Sequence, residues 1–466
     1  MGLFGALTTA VSGLRAQSYA MQNISGNISN SQTPGFKRVD TSFVDMVPEL
    51  PYRSEVAGSV NAFSKLTNTI KGDPLSTSVS TNVAISGEGF FMVQERVGYA
   101  GNQPVFGNID YYTRRGDFEI DKDGYLHNGA GFYLRGSSIN PVTGDPTGTG
   151  MIQISNAPVP AKQTTQIVYK ANLPKVPATT SGNPLFGPSG VGGYEPRHDP
   201  NALPPVVTTG FVRNDDTNRF LSESVSGGSV TVYDASGQPI NVEMRWAKVR
   251  TGDPLAGPPT PDVWNLFYLE NSNPAAPATP TWRNIGGAFE FNASGILTAP
   301  VPATVNIPAL MVNGAPLGGA LTMDFGVGGL TQYNAQNGLV RGDTISQDGY
   351  SSGVLDSVAV EADGRVVGSY TNGRVLPVAQ ITIAQFNADN ALKRLDKGVY
   401  EQTLESGLPV LGLNGASLIG GHVEGSNTDI AEEFSKMIVT QQAYSANTRV
   451  VSTSQQMMSE IVNMIR

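Results

Sequence analysis

A chain of 466 residues is longer than one hydrophobic core ordinarily supports, so about two to four domains are expected. Charged residues are only 15% of it, while Gly (54) and Pro (31) are abundant, a balance that favours short strands and turns over long charged helices. The net charge of -9 has the wrong sign for neutralising phosphates and sets nucleic acid aside as a partner, and zero cysteines exclude disulfides, thiolate metal ligands and thiol nucleophiles.

The opening Met1-Gly2-Leu3-Phe4-Gly5-Ala6-Leu7 has neither a basic n-region nor a long apolar core, so a cleaved signal peptide is not expected. Its Met-Gly start resembles a lipidation signal, but Ala6 stands where that signal needs Ser or Thr. No stretch is long enough to span a bilayer, and no membrane insertion is expected. From Leu3 onward, apolar residues fall at Leu3, Leu7, Ala10, Leu14, Met21, Ile24 and Ile28, four and three apart except where Gln17 interrupts. That heptad seam predicts a helix over about residues 3–31, ended by Pro34 and Gly35.

The middle of the chain reads as strands and turns. Asp121-Lys122-Asp123-Gly124, Asp234-Ala235-Ser236-Gly237, Asn292-Ala293-Ser294-Gly295 and Glu361-Ala362-Asp363-Gly364 each predict a hairpin turn whose Gly has a positive φ. The first of these also hints at a calcium loop, yet Phe132 occupies the twelfth position, where a bidentate Glu is needed, and the turn reading prevails. His127, His198 and His422 are too scattered for a metal or catalytic cluster, so no metal or cofactor is expected. Gly87-Glu88-Gly89 and Gly326-Val327-Gly328-Gly329 do not complete a phosphate-binding pattern. Pro- and Gly-rich stretches at 174–205, 252–261 and 271–280 predict exposed loops decorating a middle domain.

At the far end, Ile430, Phe434, Met437, Gln441, Tyr444, Thr448, Val451, Gln455, Met458, Val462 and Ile465 repeat the four-three spacing. Ser426-Asn427-Thr428-Asp429 supplies N-cap side chains, and Glu432 and Glu433 suit the first helical turn. Ordering two such helices costs more free energy than their thin seams return on burial, and polar Gln17, Gln441 and Gln455 suggest specified register. Completion by neighbouring molecules is therefore favoured, with an ordinary hairpin packed on its own domain as the alternative.

Ala6-Leu7 through Asn27-Ile28-Ser29-Asn30, then Thr33-Pro34-Gly35-Phe36-Lys37, resembles the N-terminal signature of the flagellar rod and hook axial proteins, carried here by Asn27, Asn30, Pro34, Gly35 and Phe36. Val423-Glu424-Gly425-Ser426-Asn427, with Glu433-Phe434, Gln441, Ala443-Tyr444 and Asn447, is similar to the matching C-terminal signature. Val83 to Phe91, Tyr112 to Phe118 and Ala379 to Phe386 resemble the family's inner β-domain. The large central insert resembles the hook members rather than the shorter distal rod members.

The resemblance implies a multidomain, mainly β chain with nested, discontinuous β-domains and N- and C-terminal α-helices forming a coiled-coil-like axial domain. The expected division is 1–40 with 424–466 for the axial helices, 41–155 with 345–423 for the inner β-domain including a connecting segment at 41–72, and 156–344 for an outer insert of one or two lobes. It further implies a non-enzymatic homopolymer, a curved tube outside the cell that transmits torque and leaves a channel for export. Implied partners are further copies of the chain, the distal rod, hook cap and hook–filament junction proteins, and the flagellar type III export apparatus. A rod or junction subunit is the near alternative. The distant one is a secreted polysaccharide-binding protein or enzyme using Trp246, Trp264 and Trp282 as aromatic platforms.

Overall fold

The computed structural model describes the chain apart from residues 1–2, 47–58, 102, 141–142, 180–209, 253–254, 256, 258 and 465–466. Among the described residues the α-helices are α1 (Leu3–Ser29), α2 (Thr217–Glu223) and α3 (Ile430–Met464), with strands making most of the remainder. The chain separates into one unit of Met1–Ala157 with Leu355–Arg466 and a second of Pro158–Val354.

The helix limits have local causes. The side-chain amide of Asn30 donates back to the Gly26 carbonyl at 2.9 Å, and Gly35 at φ 67° turns the chain away from α1. A Cβ at Gly35 would lie 2.6 Å from the Arg115 backbone nitrogen, so the position admits no side chain. At α3, the Asp429 carboxylate accepts from the Ala431 and Glu432 amides at 2.8 and 3.2 Å, capping the first turn.

Both chain ends build the first unit. Residues 41–72, expected to connect, instead hold much of an antiparallel hairpin, β1 (Val39–Met46) against β2 (Ser59–Leu66), in register from Val39↔Leu66 to Met46↔Ser59. The hairpin packs on α1 through the Tyr19–Ser64 hydroxyl pair at 2.7 Å and the Asn23 amide donating to Thr41 Oγ1 at 2.9 Å. A 14-stranded sheet follows, its strand order weaving segments from before and after the second unit. The C-terminal approach to α3 is woven in as well, with Ser417–Gly420 paired to Val83–Ser86 and His422–Glu424 to Pro74–Ser76. Part of the core is an edge-to-face aromatic cluster in which Phe90 meets Tyr400 at 5.5 Å between ring centroids.

The second unit stacks a 6-stranded sheet and a 5-stranded sheet over one core rather than dividing into separate lobes. Tyr169, Trp246, Phe289 and Phe325 interlock at its centre, with Trp246 and Phe289 4.9 Å apart. Burial pushes the Tyr169 hydroxyl up to about 12. α2 covers a smaller cluster in which Phe220 packs on Phe267 and Trp282. This unit runs past the expected limit at 344 because Arg341–Gln347 pairs antiparallel with Gln166–Asn172 and extends the 5-stranded sheet. The Pro- and Gly-rich stretch at 174–205, with His198, lies outside the described residues from residue 180 on.

All the predicted hairpin turns have the expected backbone, with φ of 84° at Gly124, 85° at Gly237, 78° at Gly295 and 83° at Gly364. The first side chain explains the preference in three of them. Asp121, Asp234 and Asn292 each accept from the amides two and four residues on, at 2.8 to 3.0 Å, so the Asx side chain closes the turn.

Candidate assembly surface on the terminal helices

α1 and α3 pair along a face that is small on α1 and polar on α3, with Ile24 its one large buried apolar side chain. On α1 the buried residues are Ala10, Gly13, Ala16, Ala20, Ile24 and Asn27, and on α3 they are Glu433, Thr440 and Ser454. At Gly13 the Asn447 side chain packs directly on the α1 backbone, where a Cβ would lie 2.9 Å from Asn447 Nδ2. At one end of the pair, Asn27 Nδ2 donates to Glu433 Oε2 at 2.8 Å, and Lys436 meets Glu433 Oε1 at 2.9 Å. Burial works against the Lys436 charge, but Glu433 and Glu432 outweigh it and hold the ammonium above the usual lysine range.

The predicted seams lie beside this contact. On α1, Ala10 and Ile24 are in it, Leu7, Leu14, Met21 and Ile28 are half-buried next to it, and Leu3 is the first helical residue. On α3, Met437, Val451 and Met458 are half-buried, whereas Ile430, Phe434, Gln441, Tyr444, Thr448, Gln455 and Val462 are exposed. Ile465 lies outside the described residues. At 3.6 residues per turn the exposed apolar residues of α3 fall on both flanks of its buried stripe. Phe434 (50% exposed) and Tyr444 (42%) occupy one flank, with Ile438 (56%) carrying that patch round to the face opposite the stripe, and Val439 (64%), Val450 (45%) and Met457 (51%) occupy the other flank.

The signature residues tie the helices to the β-structure. Asn27 exchanges bonds with the Val39 backbone, accepting from its nitrogen at 2.9 Å and donating to its oxygen at 3.0 Å. Pro34 is half-buried in the turn after α1, and the Phe36 ring is buried beneath the Arg394 guanidinium, 4.5 Å from its centroid. Just beyond lies a buried charge cluster that motif reading missed. Lys37 Nζ donates to Glu424 Oε1 at 2.5 Å and Arg114 Nη1 to Glu424 Oε2 at 3.2 Å, with the three residues 1%, 2% and 2% exposed. Burial pushes the Lys37 ammonium below the usual lysine range despite Glu424. Its only sequence signal is the presence of Lys37, Arg114 and Glu424 inside three otherwise separate signature segments.

Nothing at this surface or elsewhere among the described residues gathers three metal-binding side chains, and no described helix is long and apolar enough to cross a membrane. The aromatic-platform alternative fails, because Trp246, Trp264 and Trp282 are buried in the cores of the second unit.

Comparison with known proteins agrees across the chain. Residues 7–37 match the family described as "Flagella basal body rod protein", 84–170 "Flagellar hook protein FlgE/F/G D1 domain", 209–350 "Flagellar basal body protein FlaE D2 domain", and 419–464 "Flagellar basal body rod FlgEFG protein C-terminal". The flagellar hook protein FlgE of Escherichia coli (strain K12) is 30% identical, over 98% of this chain and 100% of that protein. Its counterpart in Salmonella typhimurium is 29% identical over 98% of each. A crystal structure of the Helicobacter pylori flagellar hook protein FlgE2 shares the fold, with a TM-score of 0.50 at 15% identity, covering 75% of this chain and all of that one.

Proposed function

The chain belongs to the flagellar hook protein family, and from that premise we propose that the apolar flanks of α3 are the surfaces through which copies of it polymerise into the hook. The chain is a structural, non-enzymatic hook subunit. The observation carrying the assembly reading is that α3 spends its small and polar residues on α1 and leaves Phe434, Ile438, Val439 and Val450 to water. Each such side chain, already about half covered, gains roughly a further 1 kcal/mol when fully buried, so a ring of neighbouring helices supplies what the single chain lacks.

In this reading the exposed seam positions, such as Phe434, Tyr444 and Val462, become contacts between copies, and the terminal helices line a central channel. The helices give axial cohesion while β-domains slide past neighbouring copies, so a curved tube turns as a universal joint and carries torque to the filament. From the family we further propose export as an unfolded chain without a cleaved signal peptide, and contacts with the distal rod, cap and junction proteins. Electron microscopy of the purified chain tests the reading, which expects curved tubes; discrete monomers under all assembly conditions would refute it.

A further inference from the structure

In the Lys37–Glu424–Arg114 cluster two buried cations share one ion-paired carboxylate, and the two ion pairs span 387 and 310 residues of sequence. Glu424 Oε1 also accepts from the Gly72 amide at 2.9 Å, and the Glu424 carbonyl from the Gly35 amide at 2.7 Å. Lys37 Nζ donates to the Ile70 carbonyl at 2.6 Å, and Arg114 Nη2 to the Gly87 carbonyl at 2.9 Å, while Arg114 Nε has no partner. The Arg114 guanidinium lies 5.4 Å from the Phe90 ring centroid, against the core of the β-domain. The backbone fits just as closely, since a Cβ at Gly72 would lie 2.1 Å from the Gly425 carbonyl oxygen.

We propose that Glu424 is a closing residue: the β-domain of the first unit cannot pack around Lys37 and Arg114 until the C-terminal segment has delivered this carboxylate, so the domain closes only once the chain through Glu424 is present. Burying an ion without its counter-charge costs far more than a paired ion gains. The ion pairs of Lys37 and Arg114 both go to Glu424. The other charges that act on the cluster do not replace it. Lys71 adds a further positive charge near Lys37, and Asp389, whose carboxyl is pushed up by burial although Arg114 and Lys37 both favour its charge, makes no ion pair with either cation. Glu88 bears on Asp389, and Tyr400, pushed up to about 12 by burial, stays neutral over the ordinary range.

A chain that emerges N-terminus first thus carries both cations early and their partner at position 424 of 466, one strand before α3. Until then the charges keep the site hydrated and the domain loose. Arrival of His422–Glu424 pairs it with Pro74–Ser76 and neutralises the site in the same event. The cluster acts within one molecule, so the inference stands or falls separately from polymerisation.

Pulse-labelled hydrogen exchange during refolding of the full-length monomer tests it, comparing wild type, E424Q and the charge-free triple variant K37M/R114M/E424L. In wild type the Phe91 and Val93 amides become protected in the same phase as Gly425. E424Q loses roughly a hundredfold or more of native protection at Phe91 and Val93. The triple variant regains most of it and protects Phe91 and Val93 in an earlier phase than Gly425. Native protection in E424Q within twofold of wild type would overturn the proposal. So would a triple variant that folds no better than E424Q, or one that still protects all three amides together.

Discussion

Asn27 and Glu433 meet side chain to side chain at 2.8 Å although 406 residues separate them, and both are buried where α1 and α3 come together. Because Asn27 also exchanges bonds with the Val39 backbone, one amide joins α1, β1 and α3. Asn27→Ala strands a buried carboxylate oxygen and two backbone groups of Val39. The expected cost is about 2–3 kcal/mol. It is read as a lower urea midpoint at unchanged slope in the unfolding of the first unit.

Gly35 permits a second test of how the helix is joined to the sheet. With φ at 67° and the Arg115 backbone nitrogen 2.6 Å from where a Cβ would stand, Gly35→Ala forces the turn away from the 114–117 link between two strands. A loss of about 2 kcal/mol or more is expected. Gly26, which has open space around its Cβ position, is the control, and Gly26→Ala is expected to be neutral or slightly stabilising in calorimetry.

Asp348 gives the second unit an acid-sensitive clasp. Burial disfavours its charge, but the Thr165 and Gln166 amides, the Thr165 hydroxyl and Lys162 outweigh burial and bring its pKa from 3.8 down to about 2. A carboxyl depressed by folding contributes stability that is present above its unfolded value and lost as pH falls through its folded value. Melting of this unit should therefore lose that contribution between pH about 4 and about 2. Asp348→Asn should flatten the pH dependence in that window.

The buried tryptophans set the optical behaviour of the second unit. Trp246 and Trp264 are fully enclosed and Trp282 is 4% exposed, so emission should be blue-shifted and resist iodide quenching. Soluble polysaccharides should leave it unchanged in a fluorescence titration.

Much of this architecture is legible in the residues. The heptad spacing and the Asp429 cap mark both helices, and the Asx-Gly phrases mark the hairpins, because these are local effects of periodicity, side-chain capping and positive φ. The face on which α1 and α3 meet is only partly legible, through Ala10 and Ile24. An apolar repeat identifies the surface that avoids water, whereas Gly13, Thr440 and Ser454 are chosen for close approach inside one chain. The β1–β2 hairpin is hidden for a related reason, since its strands are largely exposed and are held by α1 rather than by an alternating core pattern. Lys37, Arg114 and Glu424 look like ordinary surface charges until the fold brings them together.

The claim that α3 keeps its apolar flanks for other copies is tested most directly by F434D/I438D in the full-length chain. Both side chains are at least half exposed, so the monomer should melt within about 1 °C of wild type, as surface changes commonly do. Negative-stain electron microscopy under conditions in which wild type forms curved tubes should then show monomers. Tubes of normal length and curvature from the double variant would contradict the account.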